Sequence, residues 1–327
     1  MPFADQALKL EGVVKRYPHF TLGPIDAALS LHGGTVTAIV GKNGSGKSLF
    51  LNMLIGWIKP TVGRIVLFGQ MYPEGEVAIK SRLAYMPDLP ELYYGTTGRW
   101  LMKQAQALAP DWDAERFREM IRRLELPDLD LPFETLSKGQ RERLLLALVL
   151  SRTVPLYVFD EPTSGLDPYV QAMLYDVWRE RLEGGSAILI SSHDMAAVER
   201  FADEIVVMND GRLLGPYVKD DLLDQWAWIM PEAEVPDDEL NALPGVVAVK
   251  SSSDGETVMT SFGAASQTVS PEAGRAFVSR DREKTEAALK SLGYRVRSSR
   301  LTLSEIVRHL LAAEHMGGDV ANARFEK

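Results

Sequence analysis

The sequence predicts an α/β core built on a phosphate-binding loop. A β region precedes the loop, a helical insert follows it, and a small α+β module closes the chain. Three observations carry this prediction. The run Gly41-Lys42-Asn43-Gly44-Ser45-Gly46-Lys47-Ser48 fits G-x-x-x-x-G-K-[ST]. It stands between an apolar, β-branched stretch at 35–40 and a helix-patterned stretch at 49–55. Two further apolar runs of strand length, 156–159 and 187–190, end in Asp160-Glu161 and in Ser191-Ser192-His193-Asp194. Open α/β sheets bind their ligands at such carboxyl ends of strands.

Composition sets the outer bounds. At 327 residues the chain is long for one ordinary domain and suits a large domain plus a smaller one. Hydrophobic residues make up 46%, enough for a sizeable core. A net charge of −9 argues against a nucleic-acid partner, which favours a basic face. The absence of cysteine excludes disulfides and thiolate metal sites, and fits a reducing compartment. No apolar run reaches bilayer-spanning length, and residues 1–6 lack a basic region followed by an apolar core. The expectation is a soluble, cytoplasmic chain that meets a membrane only through a partner.

In chain order, residues 8–14 and 20–31 read as strands, and Gly33-Gly34 as a turn. Tyr17, in this β region, offers a ring that can stack on an adenine or simply pack a strand edge. At the loop, glycines let the backbone curl so that successive N–H groups face a phosphate, and the helix N-terminus adds partial positive charge. Lys47 would reach the β- and γ-phosphates and Ser48 would offer its hydroxyl to Mg²⁺. Strands follow at 64–68 and 83–86, the second broken at Pro87-Asp88-Leu89-Pro90. Residues 97–126 turn helical, with Phe117, Met120, Ile121 and Leu124 at core spacing. The run 144–150 is apolar on every side and predicts a buried helix. A helix at 171–182 ends at Gly184-Gly185. A helix at 196–202 precedes strands at 205–208 and 212–214, joined by Asn209-Asp210-Gly211, a hairpin signal.

The acids at strand ends suit nucleotide chemistry. Asp160 can hold the hydration shell of Mg²⁺. Glu161 stands where a water could attack, as general base or orienter. His193 ends a neighbouring buried strand and is a candidate sensor of the γ-phosphate. Beyond residue 220 the character changes. Pro231, Pro236 and several acids predict a linker over 226–240. A module over 241–316 then shows a hairpin of 246–249 with 257–260, a helix at 281–292, a strand at 294–297 and a capping box, Thr302 to Glu305, opening a helix through 313. Residues 317–327 read as a flexible tail.

With these motifs in order, residues 8–225 resemble the ATP-binding subunit of ABC transporters. The loop at 41–48 matches Walker A, Asp160 and Glu161 match the Walker B Asp and catalytic Glu, and His193 matches the switch histidine. Leu136-Ser137-Lys138-Gly139-Gln140 is similar to the LSGGQ signature, Ser164-Gly165-Leu166-Asp167 to the D-loop, and Tyr17 to the adenine-stacking aromatic. The resemblance implies a phosphate-loop ATPase core over 1–225, with an antiparallel β subdomain and a helical subdomain near 95–150. It implies ATP and Mg²⁺ as cofactors. It also implies a second copy of the chain, or a homologous ATPase, so that Ser137, Gly139, Gln140 and Asp167 complete the site across a dimer. Two positions depart from the family. Lys138 stands for a signature glycine and either adds a cation near that phosphate or faces solvent. Asp88 stands for the Q-loop glutamine and either reaches Mg²⁺ through water or serves only the coupling surface. The aromatic stretch 87–100 is either a docking patch for a membrane permease or packing for the helical insert. The C-terminal module resembles, more loosely, that of ATPases paired with ABC-2-type permeases, which implies export and a place on the inner face of the cell membrane. A soluble ABC-type ATPase acting on a nucleic-acid or ribosomal complex, and a non-hydrolysing scaffold, are the rival readings.

Overall fold

Three sheets organise the residues described by the computed structural model, which are 6–88, 90, 92–249 and 276–315. The chain divides into two compact units, one up to Pro216 and one from Tyr217.

In the first unit an antiparallel sheet runs in the order Phe20–Leu31, Gln6–Tyr17, Val62–Leu67, Gln70–Met71. A six-stranded sheet runs Arg212–Val218, Glu204–Asn209, Val36–Val40, Ala187–Ser192, Leu156–Asp160, Leu83–Met86. From Glu204–Asn209 to Leu83–Met86 its pairs are parallel. Every residue of Val36–Val40, Leu156–Asp160 and Ala187–Ser192 is buried. That is why these segments read as continuous apolar runs: a parallel sheet is covered on both faces. Leu8, Ile39, Phe50, Met53, Leu189 and Met208 belong to one core cluster shared by both sheets and the helix Lys47–Leu54. The hairpin at 209–211 forms as expected, with Asp210 at φ 42 and Gly211 at φ 80, the two positive values a type I′ turn needs.

The helical insert comprises Gly98–Leu108, Ala114–Arg123 and Lys138–Leu150. Thr97 caps the first by accepting from the Trp100 N–H, and Asp113 caps the second through the N–H groups of Glu115 and Arg116. Phe117, Met120 and Leu124 are buried as their spacing predicts, and so are Leu144 to Ala147 and Leu150. Arg152 ties the insert to the sheet, pairing with Asp111 at 2.9 Å and donating to the Leu83 carbonyl at 2.6 Å.

The second unit is an antiparallel sheet in the order Val246–Val249, Phe277–Ser279, Ala227–Pro231, Val296–Arg300. Its helices are Lys219–Gln225, Asp237–Ala242, Arg282–Ser291 and Leu303–His315. The capping box is present: Thr302 Oγ1 accepts from the Glu305 N–H at 3.3 Å, and Glu305 Oε2 accepts from the Thr302 N–H at 2.8 Å. This unit corrects the expected boundaries. The first domain ends near 216, not 225, and 226–240 is not a linker. Ala227–Pro231 is an inner strand with partners on both sides, and Ala227, Ile229, Val235 and Leu240 lie in the module's core. The prolines and acids of this stretch hid a buried, alternating pattern at Ala227, Ile229 and Pro231. Of the expected hairpin, Val246–Val249 is a strand but pairs with Phe277–Ser279. Its expected other arm, 257–260, and the tail 317–327 lie outside the described residues.

Candidate functional site

The phosphate loop leaves the fully buried strand Val36–Val40 and enters the helix Lys47–Leu54. Gly44 has φ 81 and Gly46, at the N-cap, φ 107, a region open to glycine and strained for other residues. Gly46 offers no side-chain cap, so the first-turn N–H groups face outward without one. A Cβ at Gly41 would lie 2.2 Å from the Met208 carbonyl, so the loop needs glycine there simply to pass.

Lys47 is only 6% exposed. Its Nζ donates to the carbonyls of Gly41 at 3.0 Å and Lys42 at 3.4 Å, and lies 3.7 Å from Glu161 Oε1. The other oxygen of Glu161 is 2.8 Å from His193 Nδ1. The carboxylate expected to act on water therefore sits between the loop lysine and the strand-end histidine. Glu161 itself has φ 50, a bend that turns its side chain out of the ladder of the strand Leu156–Asp160. Asp160 does not border the cleft. It is 3% exposed and accepts a short hydrogen bond from the Ser191 hydroxyl.

A cleft of about 780 Å³ unites these groups. Of the residues singled out in the sequence, Tyr17, Asn43, Gly44, Gly46, Lys47, Ser48, Asp88, Glu161 and His193 line it. Gly41 and Ser45 belong to the loop but lie behind its surface. Ser137, Gly139, Gln140 and Asp167 are not brought into the cleft. Ser137 and Gln140 are joined in a capping box, with bonds of 3.2 and 2.8 Å, at the head of the helix Lys138–Leu150. Asp167 caps the helix Pro168–Glu183 through the N–H groups of Tyr169 and Val170, both at 3.0 Å. Gly139 passes close to the D-loop-like segment, where a Cβ would stand 3.1 Å from the Gly165 carbonyl.

The wall also includes residues that were not assigned to the site from sequence: Phe20, Leu49, Lys138 and Ser164. Phe20 faces Tyr17 across a two-residue turn, which places two aromatic rings at one end of the cleft. That signal was present in the hairpin spacing. Lys138 stays half exposed on the cleft wall, while its Nζ donates to Ser164 Oγ at 3.0 Å and lies 3.6 Å from the buried Glu142. Burial pushes the Glu142 carboxyl above its ordinary range, against the pull of Lys138. Burial, with the charges of Asp160 and Asp88, likewise raises the Tyr85 hydroxyl, which donates to Asn52 Oδ1 at 3.2 Å.

The site fits a magnesium nucleotide. The buried Ser45 Oγ, in the cradle itself, has no hydrogen-bond partner, and the space around a Cβ at Gly44 is open. The Lys47 ammonium, the Ser48 hydroxyl, Glu161 and an aromatic pair on the wall, with Asp160 buried behind it, are the groups that suit a nucleoside triphosphate with a hard cation. Fold and cleft together define a phosphate-loop nucleotide-binding ATPase.

Comparison with known proteins narrows the class. Residues 25–164 match the ABC transporter family. Nod factor export ATP-binding protein I of Ralstonia nicotianae is 30% identical over 221 residues, which is 63% of this chain and 65% of that protein. The ABC-type transporter ATP-binding protein EcsA of Bacillus subtilis is 26% identical over 213 residues, 63% of this chain and 86% of that protein. A solved ATP-binding subunit of an ABC transporter superposes with a TM-score of 0.61 at 27% identity, covering 66% of this chain and 92% of that one. Over this region the chain is similar to the ATP-binding proteins of ABC transporters. No helix among the described residues is long and apolar enough to cross a membrane.

Proposed function

We propose that this chain is the ATP-hydrolysing subunit of an ABC transporter, which drives substrate through a separate integral-membrane permease by ATP-driven closure of a dimer. The placement of Glu161 between Lys47 and His193, in the phosphate-loop cleft, is the observation that carries this reading.

In the proposed mechanism the loop N–H groups and Lys47 bind the phosphates. Lys47 exchanges its bonds to the Gly41 and Lys42 carbonyls for phosphate oxygens. Tyr17, with Phe20 beside it, stacks on the adenine. Ser48 and Asp160 would hold Mg²⁺, with Asp88 on the cleft wall contributing through water, and the cation would supply positive charge to offset the phosphates. Glu161 accepts the proton of the attacking water. His193, hydrogen-bonded to Glu161, orients that carboxylate and meets the γ-phosphate.

The cleft of one chain is half of the working site. Ser137, Gly139, Gln140 and Asp167 of a second copy, or of a homologous ATPase, close over it. The helix Lys138–Leu150 then directs its N-terminus at the bound phosphate. Tyr93, Tyr94 and Trp100 are 90%, 94% and 50% exposed. Such aromatic exposure in one stretch supports a protein contact there, and the permease is the partner we assign to it. An ABC-2-type permease, export, and a position on the inner face of the cell membrane complete the proposal. The name of the Ralstonia relative, an export ATP-binding protein, supports that direction.

Glu161→Gln tests the chemistry. Hydrolysis is expected to fall by roughly a hundredfold or more while ATP binding persists. Near-normal turnover would remove Glu161 from its role.

A further inference from the structure

Asp160 and Glu161 are adjacent in sequence but are asked to do different things. One must hold a cation from a buried position; the other must reach water in the cleft. A single side chain on the neighbouring strand touches both. Ser191 is paired with Asp160 in the parallel register of Leu156–Asp160 with Ala187–Ser192. It is fully buried, at 0% exposure. Its hydroxyl has one proton, and the Asp160 Oδ1 takes it. The Ser191 hydroxyl oxygen in turn accepts from the Glu161 N–H at 3.1 Å, while the Ser191 carbonyl accepts that N–H at 3.2 Å. Glu161 is the residue where the backbone swings to φ 50.

We propose that Ser191 is a positioning residue for the cation and the water: its hydroxyl fixes the rotation of the Asp160 carboxylate and holds the backbone bend that presents Glu161. With Oδ1 engaged, the carboxylate is held in one orientation and its other oxygen is left for the cation. The bend at Glu161 depends on an acceptor at the Ser191 hydroxyl as well as on the ordinary ladder carbonyl. One hydroxyl thus links the two functions, and it lies two residues before His193 on the strand that completes the cleft. Partners of this kind, one step behind a metal ligand, set the ligand's orientation and through it the affinity for the metal. The inference rests on the reading of Asp160 as the acid that holds Mg²⁺.

The test titrates Mn²⁺ into the full-length protein saturated with a non-hydrolysable ATP analogue, read by electron paramagnetic resonance. Analogue affinity is measured separately in EDTA. Ser191→Ala is expected to weaken Mn²⁺ binding about tenfold and to leave analogue affinity in EDTA within about twofold. Ser191→Thr, which keeps the hydroxyl, is expected to restore most of the loss. If the alanine chain does not fold, Ser191→Cys replaces it, since a thiol of similar size is a weak donor. In an Asp160→Asn background Ser191→Ala is expected to add less than about twofold, because both act through one carboxylate. Unchanged Mn²⁺ affinity in Ser191→Ala or Ser191→Cys, beside a clear loss in Asp160→Asn, would overturn the role of Ser191 alone. An equal loss of analogue affinity with and without metal would do the same. Unchanged Mn²⁺ affinity in Asp160→Asn would remove the metal assignment on which the inference stands.

Discussion

Lys47 and Glu161 form an ion pair that a nucleotide has to rearrange. The lysine is held by two loop carbonyls and by Glu161 at 3.7 Å, so its charge is already desolvated and aimed. Lys47→Ala is expected to cost at least about tenfold in ATP affinity, measured by equilibrium binding, because bonds to a charged donor are lost. Retained affinity would undo the phosphate-loop assignment. Glu142 allows a second prediction at this scale. Its carboxyl is 3% exposed, its Oε2 has no hydrogen-bond partner, and burial raises its pKa. The folded state therefore keeps the proton to higher pH than the unfolded chain does. Below the unfolded value neither state is charged and nothing is lost; above the raised folded value the fold bears a buried charge. Glu142→Gln is expected to raise the melting temperature at pH 8, with the gain shrinking as pH falls toward the carboxylate range. A gain that grows on acidification would contradict it. These residues also show how far sequence reaches. Gly44, Gly46, Lys47 and Ser48 were legible because their types answer to local backbone geometry. The contact of Lys138 with Ser164 was not, because it depends on how a helix start and a loop distant in sequence pack.

At the scale of elements, the inner strands of the six-stranded sheet were readable because burial on both faces leaves an unbroken apolar run. Ala227–Pro231 was not. Its buried residues alternate, Pro231 closes it, and acids and a second proline follow, so composition pointed to a linker. Its two neighbours, Phe277–Ser279 and Val296–Arg300, are far away in sequence, and no local signal announces them. The corrected boundary changes what a truncation does. A chain ending at 240 keeps Ala227–Pro231 but strips both partners from it, leaving open edges that invite aggregation. A chain ending at 218 removes the module whole and keeps the strand Arg212–Val218. We expect the 218 form to stay monodisperse by light scattering and to bind ATP as the full chain does, and the 240 form to aggregate. The reverse order would show that the division near 216 does not describe how the chain folds.

For the whole molecule, the signature segment stays largely apart from the cleft, with Lys138 alone of its five residues on the wall. Tyr17, Lys47, Glu161 and His193 converge on one volume. Ser137, Gln140 and Asp167 spend their side chains on helix caps and stay outside it. A chain whose capped helix N-terminus lends only Lys138 to its own cleft is suited to completing its site with a second chain. The central claim is that the cleft is half a site. Sedimentation of the Glu161→Gln variant with and without Mg²⁺-ATP tests it most directly. One chain is expected without nucleotide and a stable pair with it. A variant that binds ATP yet remains a single chain at every concentration, beside a wild-type protein that hydrolyses ATP as a monomer, would contradict it.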